Sequence, residues 1–118
     1  MAGPQRWQVD DWRGPQGARP VKAFLDGLSE AARDRIAAHL EMLAREGNAL
    51  RFPRSRPLGG GIFELRIAVP DGAIRFLYCF LRGDRVIVLH GFAKKTQKTP
   101  PDDLALARTR KAALTKEG

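Results

Sequence analysis

The chain is short of most groups used for covalent and metal chemistry. In 118 residues it has one cysteine, two histidines and one tyrosine. A lone cysteine, Cys79, excludes an intramolecular disulfide and a cysteine-rich metal site. Inside an apolar segment it reads as a small buried group. Two dispersed histidines offer no metal-ligand set, so neither a metal nor a cofactor is expected. His39 sits beside the Ile36–Leu40 stripe and reads as a boundary residue. No run is long and apolar enough to span a bilayer, and residues 1–7 lack an apolar core of signal-peptide length. The expectations are no membrane partner and a cytoplasmic location. There is no internal repeat or low-complexity block, and the length fits one domain over residues 1–118, which can bury a core without disulfide support.

The chain is also short of acid. Lys and Arg number 21 against 13 Asp and Glu, a formal net charge of +8. Such an excess speaks to anionic partners rather than to fold. It is sharpest in residues 90–98, His90-Gly91-Phe92-Ala93-Lys94-Lys95-Thr96-Gln97-Lys98. An imidazole, an aromatic ring and three lysines stand there with no acidic neighbour, where a strand ends and a proline-started helix is about to begin. That points to a polyanion, with a titratable group beside it.

Hydrophobic spacing outlines the elements. Trp7, Val9 and Trp12 alternate weakly, as in a short strand. Val21, Phe24, Leu25 and Leu28 follow Pro20 at helical spacing. Ser29 is placed to cap a second helix with the stripe Ile36, Leu40 and Leu43, and Gly47 to end it. Residues 48–61 read as a loop rich in Pro and Gly. Three strands follow, at 62–69, 73–81 and 85–92, divided by Pro70-Asp71-Gly72 and Arg82-Gly83-Asp84. The last helix begins near Thr99-Pro100-Pro101-Asp102, with Thr99 as cap and Pro100 as first helical residue, and runs to about Lys116. The expected fold is α+β: an N-terminal helical hairpin on a small antiparallel sheet, with a C-terminal helix.

Register then predicts which side chains meet. Two-residue loops at Asp71-Gly72 and Gly83-Asp84 set Leu77 opposite His90 and Arg75 opposite Phe92. Opposed residues share a face, and faces alternate along a strand. One face then collects Phe63, Leu65, Ile67, Val69, Ile74, Phe76, Tyr78, Phe80, Ile87 and Leu89 and should meet the helices. The other holds Glu64, Arg66, Arg75, His90 and Phe92 among Ala68, Leu77, Cys79 and Val88. An odd loop would mix the two sets, which favours the even registers. Two mid-strand arginines need carboxylate partners or a wet concavity, and Glu64 suits only one of them well. The remaining charge suggests a phosphate-binding cleft.

The runs Gly61-Ile62-Phe63-Glu64-Leu65-Arg66-Ile67, Arg75-Phe76-Leu77-Tyr78 and Leu89-His90-Gly91-Phe92-Ala93-Lys94-Lys95-Thr96-Gln97-Lys98-Thr99-Pro100 resemble the phage-derived, HigB-like branch of the RelE/ParE toxin superfamily. The order of helices and strands matches over essentially the whole chain. The resemblance implies a RelE-like toxin of a type II toxin–antitoxin pair that cuts mRNA in the ribosomal A site and is restrained by an antitoxin, often a helix-turn-helix protein. It places the basic active surface on Arg66, Arg75, Lys94 and Lys95, with His90 nearby. RelE toxins of the best-known kind use a tyrosine near the C-terminus. Here Tyr78 is the only tyrosine, and the register puts it in the core.

Cleavage by a 2′-hydroxyl needs a base, cations for the crowded phosphate and an acid for the leaving oxygen. His90 is expected as acid or base, its pKa lowered by neighbouring cations. Arg66 and Arg75 are the expected phosphate ligands, and Lys94 and Lys95 a proton donor or an electrostatic clamp. Arg51, Arg54, Arg56, Phe92, Lys98, Arg108, Arg110 and Lys111 are candidate RNA contacts, the basic ones positioning the backbone without reading bases. Each has a plainer competitor: a backbone-bonded histidine, arginines paired with carboxylates, a packed Phe92, a solvated basic surface. A ParE-like inhibitor of DNA gyrase and a non-catalytic nucleic-acid-binding protein of phage origin are the alternative functions.

Overall fold

A computed structural model describes residues 6–70, 72–95 and 97–117, with side chains described to residue 114. Its principal elements are β1 (Gln8–Asp11), α1 (Pro20–Asp26), α2 (Glu30–Glu46), β2 (Ser55–Gly59), β3 (Ile62–Val69), β4 (Gly72–Leu81), β5 (Arg85–Ala93) and α3 (Pro101–Glu117). The architecture is the expected α+β, with two N-terminal helices, one five-stranded sheet and a C-terminal helix. The sheet order is β1-β5-β4-β3-β2. Strands β2 to β5 form an antiparallel meander, and β1 joins the β5 edge in parallel.

Local chemistry accounts for the helix boundaries. The Ser29 hydroxyl accepts the Ala32 amide at 3.1 Å and opens α2, filling one of the donors a helix start leaves unpaired. Gly47 closes it at φ +50, and a Cβ there would lie within 2.0–2.4 Å of the Trp7 ring. The helix end and the first aromatic are therefore packed together. Thr99 does not cap α3. The helix starts one residue later than expected, with the Pro100 carbonyl accepting the Leu104 amide, while the Thr99 hydroxyl donates to Glu64.

Three expectations about the sheet are corrected. Residues 48–61 are not all loop: β2 lies within them and pairs with β3 from Ser55 opposite Leu65 to Gly59 opposite Ile62. As an edge strand it tolerates Pro57, whose missing amide has no inner partner to serve. The first hairpin turns one residue earlier than expected, pairing Val69 with Gly72 and Ala68 with Ala73; Asp71 lies outside the described residues. The shift is two residues, so every side chain keeps its face. The second hairpin turns through three residues, 82–84, rather than the expected two, so that Leu81 and not Arg82 faces Arg85. Leu77 faces His90 and Arg75 faces Phe92 as expected, but a bulge follows, and Tyr78 faces Val88. One extra residue on one strand exchanges the faces beyond it.

The bulge therefore moves Ile87 and Leu89 off the α1/α2 face and puts Val86 and Val88 there. That core joins Val21, Ile36 and Leu43 to Leu65, Ile67, Phe76, Tyr78, Val86 and Val88. A second core on the opposite face joins Ile62, Leu77, Cys79, Ile87 and Leu89 to Ala107 of α3. The second face is thus covered over much of its area, and its polar residues lie where that cover ends. No helix among the described residues is long and apolar enough to cross a membrane.

Candidate nucleic-acid interface

Pairing lays the polar side chains out in two rows on the α3 side of the sheet. Arg56, Glu64, Leu77 and His90 oppose one another across β2, β3, β4 and β5. Arg66, Arg75 and Phe92 form the neighbouring row across β3, β4 and β5. Residues two apart on a strand share a face, so Glu64 stands next to Arg66, and His90 next to Phe92. Lys94 follows two residues after Phe92, its amide bonded to the Ala73 carbonyl at 2.8 Å.

Glu64 is the centre of this surface. It is 3% exposed and accepts the Thr99 hydroxyl at 2.6 Å. Arg56 Nε lies 3.3 Å and Arg75 Nε 3.8 Å from the same carboxylate oxygen. Arg56 Nε is buried and makes no well-aligned hydrogen bond, so its link to Glu64 is electrostatic. Arg75 is buried and donates to the Ile74 carbonyl at 3.2 Å. Glu64 thus serves Arg56 and Arg75, whereas Arg66 turns its guanidinium to the Phe52 ring, 5.6 Å from the centroid.

Four cations around one carboxylate carry an electrostatic load. Burial first, then the Arg66 guanidinium, pull the Arg75 pKa down; Glu64 opposes this and Arg56 adds to it. The Lys94 ammonium is held below the ordinary lysine value by desolvation, then by Arg75 and Arg66, with Glu64 again opposing. Both shifts have the sign expected of groups crowded by like charge. An incoming anion would relieve both.

His90 does not face this cluster as its nearest charge. Its Nε2 lies 2.5 Å from Asp103 Oδ1 in the first turn of α3, and its ring stacks on Phe92 with centroids 5.7 Å apart. A carboxylate, rather than a set of cations, orients the imidazole. In the tautomer whose Nε2–H donates to Asp103, Nδ1 is the hydrogen-bond acceptor. Phe92 is half-buried and packs against the core beneath α3.

The other candidate contacts are dispersed. Lys95 and Lys98 are exposed on the segment after β5. Arg51 bonds the carbonyls of Asn48 and Leu50, and Arg54 is exposed beside it. Arg108 and Lys111 line a shallow concavity of about 350 Å³ over Gly60 and Ile62. Arg110 is turned inward: it donates to the Leu89 carbonyl at 2.8 Å and lies 4.8 Å from the Trp12 ring centroid. Among the described residues no group of three His, Cys, Asp or Glu side chains is gathered as a metal site would require.

Sequence reasoning missed three participants. Asp103 was hidden because its contact with His90 depends on where α3 docks. Thr99 has the right type and place for a helix cap, which concealed its link to Glu64. Phe52 had a readable signal, a lone aromatic in the run Arg51-Phe52-Pro53-Arg54.

No curated protein matches the chain. Residues 23–112 match the family described as Phage derived protein Gp49-like (DUF891). That span runs from within α1 almost to the end of α3 and contains both polar rows, Lys94 and Asp103. The chain therefore belongs to the Gp49-like family of phage-derived proteins, which is RelE-toxin-like in general.

Proposed function

We propose that the protein is the toxin of a type II toxin–antitoxin pair, of the HigB-like kind, and a metal-independent endoribonuclease that cuts mRNA on the ribosome in the cytoplasm. The observation that carries this reading is the clustering of Arg56, Arg66, Arg75 and Lys94 near the buried carboxylate of Glu64, with the His90–Asp103 pair at the end of the Glu64 row. A phosphodiester seated on the arginines meets charge already in place, so its transition state is stabilised without reorganising solvent. His90, oriented by Asp103, takes the 2′-hydroxyl proton. The O2′–P bond forms and the P–O5′ bond breaks. Lys94, whose depressed pKa eases proton release, protonates the departing O5′ oxygen, leaving a 2′,3′-cyclic phosphate and a free 5′-hydroxyl. Lys95 and Lys98 add positive charge along the strand. An antitoxin with helix-turn-helix character is the proposed partner, masking the basic surface until it is removed.

The burial of Tyr78 favours a second reading. Its hydroxyl bonds Ser55 in the core, and burial raises its pKa. No tyrosine is then available to the chemistry, as a non-catalytic nucleic-acid-binding protein would have it. A ParE-like gyrase inhibitor has no need of the cation cluster. Mapping mRNA 5′ ends after induction separates the three. Cuts at codon boundaries that vanish in the Arg75→Ala, His90→Ala double variant support the nuclease. A DNA-damage response without cuts supports gyrase inhibition, and neither response leaves binding alone. Cuts that survive the double variant would place the chemistry elsewhere.

A further inference from the structure

The loop that leads into β2 displays a large aromatic in a basic setting. Phe52 is 70% exposed, against 38% for Leu106, the other exposed large apolar side chain among the described residues. A lone exposed apolar group needs no explanation in itself. What distinguishes Phe52 is the company it keeps. Arg51 and Arg54 flank it closely in sequence, and the Arg66 guanidinium lies 5.6 Å from its ring centroid. Arg66 in turn is paired across the sheet with Arg75. The loop is braced as well. The amides of Arg54 and Ser55 both donate to the Arg51 carbonyl at 3.2 Å, and the Arg54 carbonyl accepts the Arg66 amide at 2.8 Å. The ring is held in place beside the cation cluster, in solvent.

We propose that Phe52 is a nucleobase-stacking platform: a base of single-stranded RNA lies on its exposed ring face while the adjoining phosphate engages Arg66 and Arg75. Proteins that hold single strands combine a cationic track for the backbone with aromatic faces for the bases. Here Arg66 belongs to both, because it touches the ring and stands in the row of phosphate ligands. Phe92 is poorly suited to the same task, since it is stacked on His90 and packed beneath α3. A protein-docking face would call for a contiguous apolar patch, whereas Phe52 stands among arginines. The proposal rests on the nucleic-acid reading above and adds a ligand class, an unpaired base, to a residue outside the catalytic set.

The test uses a short 2′-O-methyl RNA oligomer, which internal attack cannot cleave, and an abasic sugar-phosphate oligomer of equal length. Phe52→Ala and Phe52→Leu should weaken binding of the first about five- to a hundredfold, and Phe52→Trp should retain it. All three variants should bind the abasic oligomer as the unaltered protein does. Phe52→Leu keeps apolar bulk without a π face, so its binding the RNA oligomer normally would overturn the proposal and leave Phe52 to a protein contact. Parallel losses on both oligomers would also overturn it, by showing that the ring only shapes the loop. Failure of the unaltered protein to bind either oligomer would remove the nucleic-acid reading together with this inference.

Discussion

Glu64 has an uncommon position for a carboxylate. It is buried in a sheet, and the groups around its oxygens come from three other parts of the chain: Arg56 of β2, Arg75 of β4 and Thr99 ahead of α3. Removing one member of a buried charge cluster costs more than forming it gains, because the remaining charges are left desolvated and unpaired. Glu64→Ala should therefore lower stability by about 3 kcal/mol in urea denaturation. Added phosphate should restore part of that loss by standing in for the missing carboxylate, and an unchanged urea midpoint with phosphate would argue against an anion site. Lys94 has a pH signature. Its pKa is lowered in the fold, so the unfolded chain binds more protons between that lowered value and the ordinary 10.5. Stability should rise with pH across that window. Lys94→Met should flatten the rise in denaturation midpoints measured across alkaline buffers.

At the scale of elements, β5 sets the site. Its bulge lets Val86 and Val88 serve one core and Ile87 and Leu89 the other, while His90 stays in the row of Glu64. Gly91 sits between His90 and Phe92 for a packing reason. A Cβ there would come within 2.5 Å of the Phe76 ring and 2.9 Å of the Phe24 ring. Because Phe24 belongs to α1, the close approach of helix to sheet depends on that missing side chain. Gly91→Ala should cost roughly 1–3 kcal/mol through overpacking, seen as a lower thermal midpoint. It should also disturb cleavage, because His90 and Phe92 flank the displaced backbone; a variant of unchanged stability would disprove the packing reason. Thr99, one residue after Lys98, donates to the same carboxylate that pairs with Arg56 and Arg75.

For the whole molecule, net charge and its placement decide the behaviour. A charge of +8 attracts polyanions at long range, but the salt response depends on how many cations meet phosphates. If Arg56, Arg66, Arg75 and Lys94 each engage one, the logarithm of the binding constant for single-stranded RNA should fall with the logarithm of salt at a slope of about −3. Lys94→Met should reduce that slope by about 0.7. A flat response in a filter-binding titration would contradict the basic face as an RNA surface. Much of that face was legible in advance. Parity alone puts Arg66 and Arg75 on one side, and a two-residue error in the first hairpin leaves parity intact. Leu77 and His90 pair as expected only because the bulge offsets a three-residue turn, in which Leu81 rather than Arg82 faces Arg85. The bulge was not legible, since nothing in Val88-Leu89-His90 marks an extra residue until Tyr78 and Val88 are seen to pair. Strand β2 was masked by its Pro and Gly, which are turn residues by composition and edge-strand residues by position.

Local rules, acting on neighbours in the chain, determined where α1 and α2 start and stop, which residues of β3 and β4 share a side, and that the charge excess gathers after β5. These follow from steric and hydrogen-bonding preferences a few residues long, and the sequence contains them whole. What meets what across elements was decided by tertiary structure alone. The docking of α3 turned Asp103 toward His90, replacing the expected cationic neighbours with a carboxylate, and drew Thr99 from a cap to Glu64. The addition of β2 at the sheet edge brought Arg56 to the same oxygen as Arg75. Such contacts join residues on different elements, 8 to 35 positions apart, and their partners are chosen by the packing of whole faces rather than by any short stretch of sequence.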